Sequence, residues 1–331
     1  MKKISQASIA AAVGVSAATV SRVINNSGYV AKDVRALVER AINELGYTAA
    51  KKPSHFSQNL LGLILLRTGE NFYFDRLSTA INEEAHKAGY KVIAMYAPFL
   101  NNATLQGYAE SLFNSGICGL MICGFDDDYL NIDLRAFLQS SDIPIVFIER
   151  TAGSYGFNQV LIDNSVGTFY AAKHLIDNGH THLLYIARRK SSTVETSRLE
   201  GFRRAIDEAN NKAITYIVEY CPDQQIKWGY DAMQNALEKD PDITGVIVWF
   251  DGYAAGAMQY IYQIGRKVPN DIEIVGHDDT LAYILSPPIS SIHMPFEEMA
   301  ASAVEIIKLN RVQRSGAITK TISLEPKLVL R

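Results

Sequence analysis

From residue 60 onward, short apolar runs alternate with longer segments of helical periodicity for roughly 200 residues. Runs at 61–66, 91–96, 119–123 and 145–148 are separated by helical patterns at 75–88, 105–114 and 134–140. A second series places helical patterns at 166–178, 197–210, 227–237 and 254–264 around runs at 182–187, 214–218, 245–249 and 273–276. Strands that alternate with helices pair in parallel, because each helix returns the chain to the starting edge of the sheet. The pattern excludes a β-sandwich and a helical bundle, and its length predicts two doubly wound lobes. Ligands of such folds lie outside the carboxyl ends of the strands, so the residues that follow each run carry the chemistry.

Composition fits that reading and adds a division. The 331 residues are 48% hydrophobic and 20% charged, as expected of a chain that buries sizeable cores. The net charge of -3 hides a split: residues 1–60 hold 8 basic against 3 acidic groups, a balance of +5, and the rest hold 24 against 32, or -8. Such asymmetry marks a small basic unit beside an acidic body. Cys118, Cys123 and Cys221 cannot build a disulfide framework and match no zinc pattern, so they read as small apolar residues in a reducing compartment. The longest apolar stretch, around Leu60–Leu66, is far below the ~20 residues of a membrane-spanning helix.

The basic N-terminus admits two readings. Lys2 and Lys3 before the apolar run at 9–13 and small residues at 15–17 mimic a secretion signal. In that case the two lobes would be those of an exported binding protein trimmed by about 17 residues. Ser5, Gln6 and Ser8 interrupt the run, however, and a different organisation fits better. An alanine-rich helix over 6–13 stops at Gly14, Ser16 caps a second helix over 17–25, and a third at 32–45 repeats apolar residues at Val34, Leu37, Val38, Ala41, Ile42 and Leu45. Two short helices joined by a tight Gly-containing turn form the helix-turn-helix, whose second helix enters the DNA major groove. Its outward residues are Ala17, Ala18, Ser21, Arg22 and Asn25, with Thr19 near the start. Arg22 can make a bidentate pair with guanine, and Ala17 or Ala18 can touch a thymine methyl. Ser16, Thr19 and Asn25 suit phosphate oxygens. An ordinary three-helix packing unit with an exposed arginine is the alternative.

The stretch Ile9-Ala10-x-x-x-Gly14-Val15-Ser16-x-x-Thr19-Val20-Ser21-Arg22-Val23-x-Asn25, with Val30, Arg35 and Leu45-Gly46-Tyr47, resembles the DNA-binding headpiece of the lactose-repressor/galactose-repressor family of bacterial transcription regulators. The resemblance places Ala17, Ala18 and Arg22 where the family reads bases, and Tyr29 joins the DNA-facing set. After Tyr47 the chain departs from the family, which continues Pro-Asn into a hinge helix with a wedging leucine. Here Thr48 to Phe56 include Pro53, which a helix tolerates only in its first turn. Either the linker is flexible and basic, or a hinge helix starts near Pro53 and Phe56 supplies the apolar wedge.

The strand ends of the body carry Phe72-Tyr73, Glu149-Arg150, Arg188-Arg189, Phe250-Asp251 and His277-Asp278-Asp279. Aromatic faces beside forked carboxylate and guanidinium groups suit a polyol, although acidic caps and core aromatics give similar strings. The family resemblance continues through Asp163-Asn164-x-x-Gly167, Arg198-x-x-Gly201-Phe202, Gly276-His277-Asp278-Asp279 and Pro326-x-Leu328-Val329-x-Arg331. It implies a two-lobed α/β effector domain like the periplasmic binding proteins. Arg198 and Asp278 match positions that grip ligand hydroxyls; Phe72, Tyr73, Glu149, Gln224 and Phe296 match lining positions. Phe250 before Asp251 replaces the family's Asn or Ser, His277 replaces its Tyr or Phe, and Gln224 stands where sugar binders often carry an aromatic.

The expected organisation is an all-α headpiece at 1–50, a linker at 51–59 and a body at 60–331. The body divides into one lobe of 60–160 plus 293–318 and another of 161–292 plus 319–331. The resemblance implies a cytoplasmic homodimer on a roughly palindromic double-stranded DNA operator, controlled by a small effector of sugar type. No hydrolase elbow, zincin motif, P-loop or dinucleotide fingerprint occurs, so no catalysis, cofactor, metal or membrane partner is expected. His180-x-His182 lies at a helix-to-strand turn without an evident further ligand.

Overall fold

A computed structural model describes residues 6–16, 19–20, 23, 30–44, 59–66, 72–97, 102–125, 130–153, 155–188, 193–312 and 319–331. The chain divides into two compact units, 1–55 and 56–331.

In the first unit, the helix Gln6–Val13 ends as expected at Gly14, whose φ of +75° belongs to the left-handed region that glycine enters freely. The amides of Gly14 and Val15 both bond back to the Ala10 carbonyl, closing the helix end. Ser16 then starts the next helical turn: its Oγ accepts from the Thr19 amide at 3.1 Å. Thr19, Val20 and Val23 are helical, and Lys32–Glu44 forms the following helix. Ile9, Ala10, Val20, Val23 and Val38 are buried together, with Val13, Val15, Val30, Ala41 and Ile42 packed against them. Ile9, Ala10, Val13 and Val15, which belong to the stretch that mimicked a secretion signal, pack into this core, as the helix-turn-helix reading requires.

Among its described residues, the second unit holds two sheets of six strands. The first orders as β11-β5-β4-β3-β1-β2, with β1 Leu60–Leu66, β2 Lys91–Ala97, β3 Gly119–Cys123, β4 Ile145–Glu149, β5 Asn158–Ile162 and β11 Thr321–Leu324. The second orders as β12-β10-β9-β8-β6-β7, with β6 His182–Arg188, β7 Thr215–Cys221, β8 Gly245–Val248, β9 Glu273–Asp278, β10 Ser290–His293 and β12 Lys327–Val329. Among the described residues, all strand pairings are parallel except β10 with β12. The two orders superpose strand for strand, so β4 of one lobe corresponds to β9 of the other. Central strands such as β3 and β8 are buried along their whole length, as parallel strands covered by helices on both faces must be.

The chain crosses between lobes three times: after β5 into the helix Asn164–Asp177, after β10 into the helix Phe296–Val312, and between β11 and β12. The expected lobe boundary is therefore corrected at the C-terminus. Residues 319–324 bond to the segment 156–163 of the first lobe, and only the last strand, Lys327–Val329, pairs in the second sheet.

Among the described residues, no helix is long and apolar enough to cross a membrane.

Candidate effector-binding site

The second lobe's carboxyl ends converge on one buried guanidinium. Arg198 leaves the helix Thr193–Ala209 and is 3% exposed. Its Nε donates to Asn164 Oδ1 at 2.9 Å, its Nη1 to the Trp249 carbonyl at 2.6 Å, and its Nη2 lies 3.6 Å from Asp278 Oδ1. The guanidinium carbon also sits 4.8 Å from the centre of the Trp249 ring, and that of Arg188 sits 5.4 Å from the same ring. Three strand ends thus meet around a cation: Arg188 from β6, Trp249 after β8 and Asp278 from β9. They flank the point where the strand order reverses between β6 and β8, the expected ligand position for a doubly wound sheet.

The charges are paired but poorly solvated. Burial raises the Asp278 carboxyl to about 6, although Arg198 opposes the shift. Glu195, which accepts from the Arg188 amide at 3.2 Å, is raised by burial to about 7, with Arg198 again opposing. Groups poised near neutrality by desolvation inside a polar cluster are characteristic of functional sites.

The first lobe contributes Tyr73, Glu149 and Phe296. Tyr73 opens the helix Tyr73–Lys87, and its ring meets Phe296 edge-on at 5.0 Å. Its hydroxyl is raised well above the usual tyrosine range, by burial first and then by Glu149 and Asp278. Both carboxylates act on one phenol, which ties this corner of the first lobe to the Arg198 cluster of the second. Glu149 accepts from Arg150 Nε at 2.9 Å and is buried. Glu149 and Asp278 hold φ of 76° and 84°, a conformation unfavourable to side chains other than glycine. Because β4 and β9 are equivalent, the same backbone strain turns one carboxylate from each lobe at matching positions.

Other candidates sit elsewhere. Phe72 is 46% exposed just before its helix. Gln224 is buried in the loop after β7. Phe250, expected as a stacking face, packs instead into the apolar core of the second lobe, 4.5 Å from the Tyr253 ring. Asp251 is a structural carboxylate, not a lining one. Its Oδ2 accepts from the amides of Thr280, Leu281 and Ala282 at 2.7, 2.9 and 3.1 Å, and its Oδ1 from Ser291 Oγ at 2.8 Å. A Cβ on Gly276 would fall 2.2 Å from Asp251 Oδ1, so the glycine of Gly276-His277-Asp278-Asp279 makes room for this carboxylate. Asp279 bonds Arg331 at 2.7 Å and His293 at 3.1 Å, away from the partners of Asp278.

Sequence reasoning missed Asn164, Glu195 and Trp249. Asn164 was visible only as part of a motif, and nothing in that motif announces a partner 34 positions away. His180 bonds Glu273 and Thr244, whereas His182 bonds Asp240, so the His-x-His pair turns its rings to different partners.

Of the DNA-facing candidates, the structure describes Ser16 and Thr19. The Ser16 hydroxyl is 2.9 Å from that of Thr19 on an exposed turn. Ala17, Ala18, Ser21, Arg22, Asn25, Tyr29 and Phe56 lie outside the described residues.

Residues 7–49 match the family described as bacterial regulatory proteins, lacI family, and residues 172–331 match a periplasmic binding protein-like domain. The chain is 30% identical over 334 residues to the HTH-type transcriptional repressor PurR of Histophilus somni, covering 98% of this chain and 96% of the relative. It is 31% identical over 333 residues to the ribose operon repressor of Haemophilus influenzae, with the same coverage. Among solved structures, the transcriptional regulator CelR–cellobiose complex matches with a TM-score of 0.71 and 25% identity, covering 99% of each chain. The Lac repressor dimer bound to operator and the anti-inducer ONPF matches with a TM-score of 0.72 and 25% identity, covering 99% of this chain and 98% of that one.

Proposed function

The chain belongs to the lacI family of bacterial regulatory proteins, and from that premise we propose a DNA-binding repressor whose operator affinity is set by a small polyhydroxylated effector. The observation that carries this reading is Arg198, a buried cation held by Asn164, Trp249 and Asp278 at the carboxyl ends of the second sheet. A forked guanidinium beside a carboxylate brackets vicinal hydroxyls, and Tyr73, Glu149 and Phe296 close the opposite side. The cellobiose complex of CelR and the name of the ribose operon repressor favour a carbohydrate as effector. Gln224 and Phe72 are further lining candidates, and Phe250 and Asp251 support the site from behind.

In the headpiece, Ala17, Ala18 and Arg22 read base edges, while Ser16, Thr19, Ser21, Asn25 and Tyr29 meet the backbone. The protein acts in the cytoplasm as a homodimer on two half-sites about one helical turn apart. Effector binding biases the lobes between two arrangements, and its sign follows from which arrangement the effector prefers.

Arg198→Ala and Asp278→Ala test the effector site. Each is expected to abolish the effect of sugar on operator binding while leaving affinity for DNA within about twofold, and a wild-type response in both variants rejects the assignment. Phe56→Ala tests the wedge. It should weaken operator binding and reduce the bend seen in circular-permutation gel shifts, and unchanged affinity and bend reject it.

A further inference from the structure

We propose that His277 determines effector specificity: its neutral imidazole aims the Asp278 carboxylate through Nδ1–H and offers Nε2 as a buried acceptor to a donor on the effector. The inference rests on the reading of the Arg198–Asp278 cluster as the effector site.

His277 lies in β9 directly before Asp278 and is 1% exposed. The left-handed backbone at Asp278 folds the two neighbouring side chains together, so that His277 Nδ1 comes within 2.9 Å of Asp278 Oδ1. The Arg198 guanidinium approaches the same oxygen. Imidazole and guanidinium therefore fix one carboxylate oxygen between them. An ionised carboxylate only accepts, so the ring proton belongs on Nδ1 and a lone pair remains on Nε2. Burial and the nearby Arg198 charge keep the ring neutral by pushing its pKa well below the usual histidine value. Among the described residues, Nε2 is buried without a hydrogen-bond partner. The residue paired across the sheet, Ile292, is apolar and offers it none. A buried acceptor without a partner destabilises the protein, and a bound hydroxyl or N–H that donates to it restores the bond. The tyrosine or phenylalanine that the family resemblance leads one to expect here has no ring nitrogen, so neither can orient Asp278 through Nδ1–H and accept at Nε2. This chain therefore selects a compound with a hydrogen-bond donor beside the hydroxyls held by Arg198 and Asp278.

The test has two arms, both on the full chain. Histidine-selective nitrogen-15 NMR, assigned with His277→Asn, reads the ring directly. A neutral ring protonated at Nδ1 is expected at pH 7 to 8, above the raised Asp278 pKa of about 6, and an Nε2–H tautomer or an imidazolium there overturns the proposal. In the binding arm, D-ribose, cellobiose and a panel of common aldoses are screened by thermal shift, and the best binder is titrated by calorimetry. His277→Asn keeps a donor near the Nδ1 position and loses the acceptor, so its Kd should rise about tenfold. His277→Gln, with an acceptor near the Nε2 position, should retain most of the affinity. The monodeoxy sugar lacking the donating hydroxyl should bind wild type and His277→Asn alike. Wild-type affinity in His277→Asn and His277→Phe, with binding lost in Asp278→Ala, overturns the proposal and leaves the site assignment standing. Unchanged binding in Asp278→Ala overturns the site assignment itself. The NMR result decides the proposal even where no sugar of the panel shifts the melting temperature.

Discussion

The Arg198 cation is taken out of water among partners that compensate it: an amide oxygen, a backbone carbonyl, a carboxylate and an indole face. Asp251 shows the same logic with the opposite sign. Its carboxyl is raised to about 7 by burial, even though the Leu281 amide and other donors favour the charged form. Removing it leaves three buried amides without an acceptor. Asp251→Ala should lower stability by about 3–5 kcal/mol, and Asp251→Asn, which keeps an oxygen there, by much less. Chemical denaturation of both variants checks this, and equal losses contradict the capping role. The residues around the ligand position were only partly legible. Asp278, Glu149 and Tyr73 stand just at or after strand ends that the alternating pattern itself locates, whereas Arg198, in the second turn of the helix Thr193–Ala209, was pointed out by the family resemblance. Asp251 also stands at a strand end, yet its partners are amides 29 to 31 positions away, in a turn that periodicity does not foresee. Phe250 turns into the core, and a single aromatic after a strand does not reveal which way it turns.

At the scale of elements, the long helices and central strands were legible because their apolar periodicity is strong. The strands Asn158–Ile162, Ser290–His293, Thr321–Leu324 and Lys327–Val329 were not. All lie at the lobe crossings or the sheet edges, where 3 to 5 residues with mixed burial carry too little pattern to register. Close helix contacts were equally silent. A Cβ on Gly201 would fall 2.0 Å from the Ser165 carbonyl oxygen, so this glycine of the Arg198 motif lets two helices of the second lobe touch backbone to backbone. Away from the site, Glu273 at the start of β9 ties the helix Asn164–Asp177 to the start of β6. Its oxygens meet His174 Nε2 at 2.8 Å and His180 Nε2 at 3.0 Å. The His180 bond chiefly, with His174 and Asn178, lowers its carboxyl to about 2 against partial burial. A depressed carboxylate stabilises the fold fully above its unfolded pKa of about 4.5 and loses that contribution as pH falls towards 2. Glu273→Gln should therefore cost about 1–3 kcal/mol near neutrality, with the difference from wild type shrinking below pH 4.5. A difference that stays constant down to pH 3 in urea denaturation contradicts this account.

For the whole molecule, the net charge of -3 describes neither unit. The balance of +5 over the first 60 residues meets phosphates, and the -8 of the remainder does not need to. Counterion release makes operator affinity fall steeply with salt, with a log–log slope of roughly -5 to -9 for a dimer making about 6–10 phosphate contacts. A slope near zero in anisotropy titrations contradicts a headpiece that binds through its basic surface. On the proposed function, the body binds a polyhydroxylated effector through paired charges, and that binding reaches DNA by biasing how two headpieces are presented. In vitro footprinting of the full chain on its genomic DNA, with and without the aldose and cellobiose panel, tests this division of labour most directly. The account predicts discrete, roughly two-fold symmetric protected sites whose occupancy changes with a particular sugar in wild type and with none in Arg198→Ala or Asp278→Ala. Absence of discrete protection, or a sugar response that survives both substitutions, contradicts it.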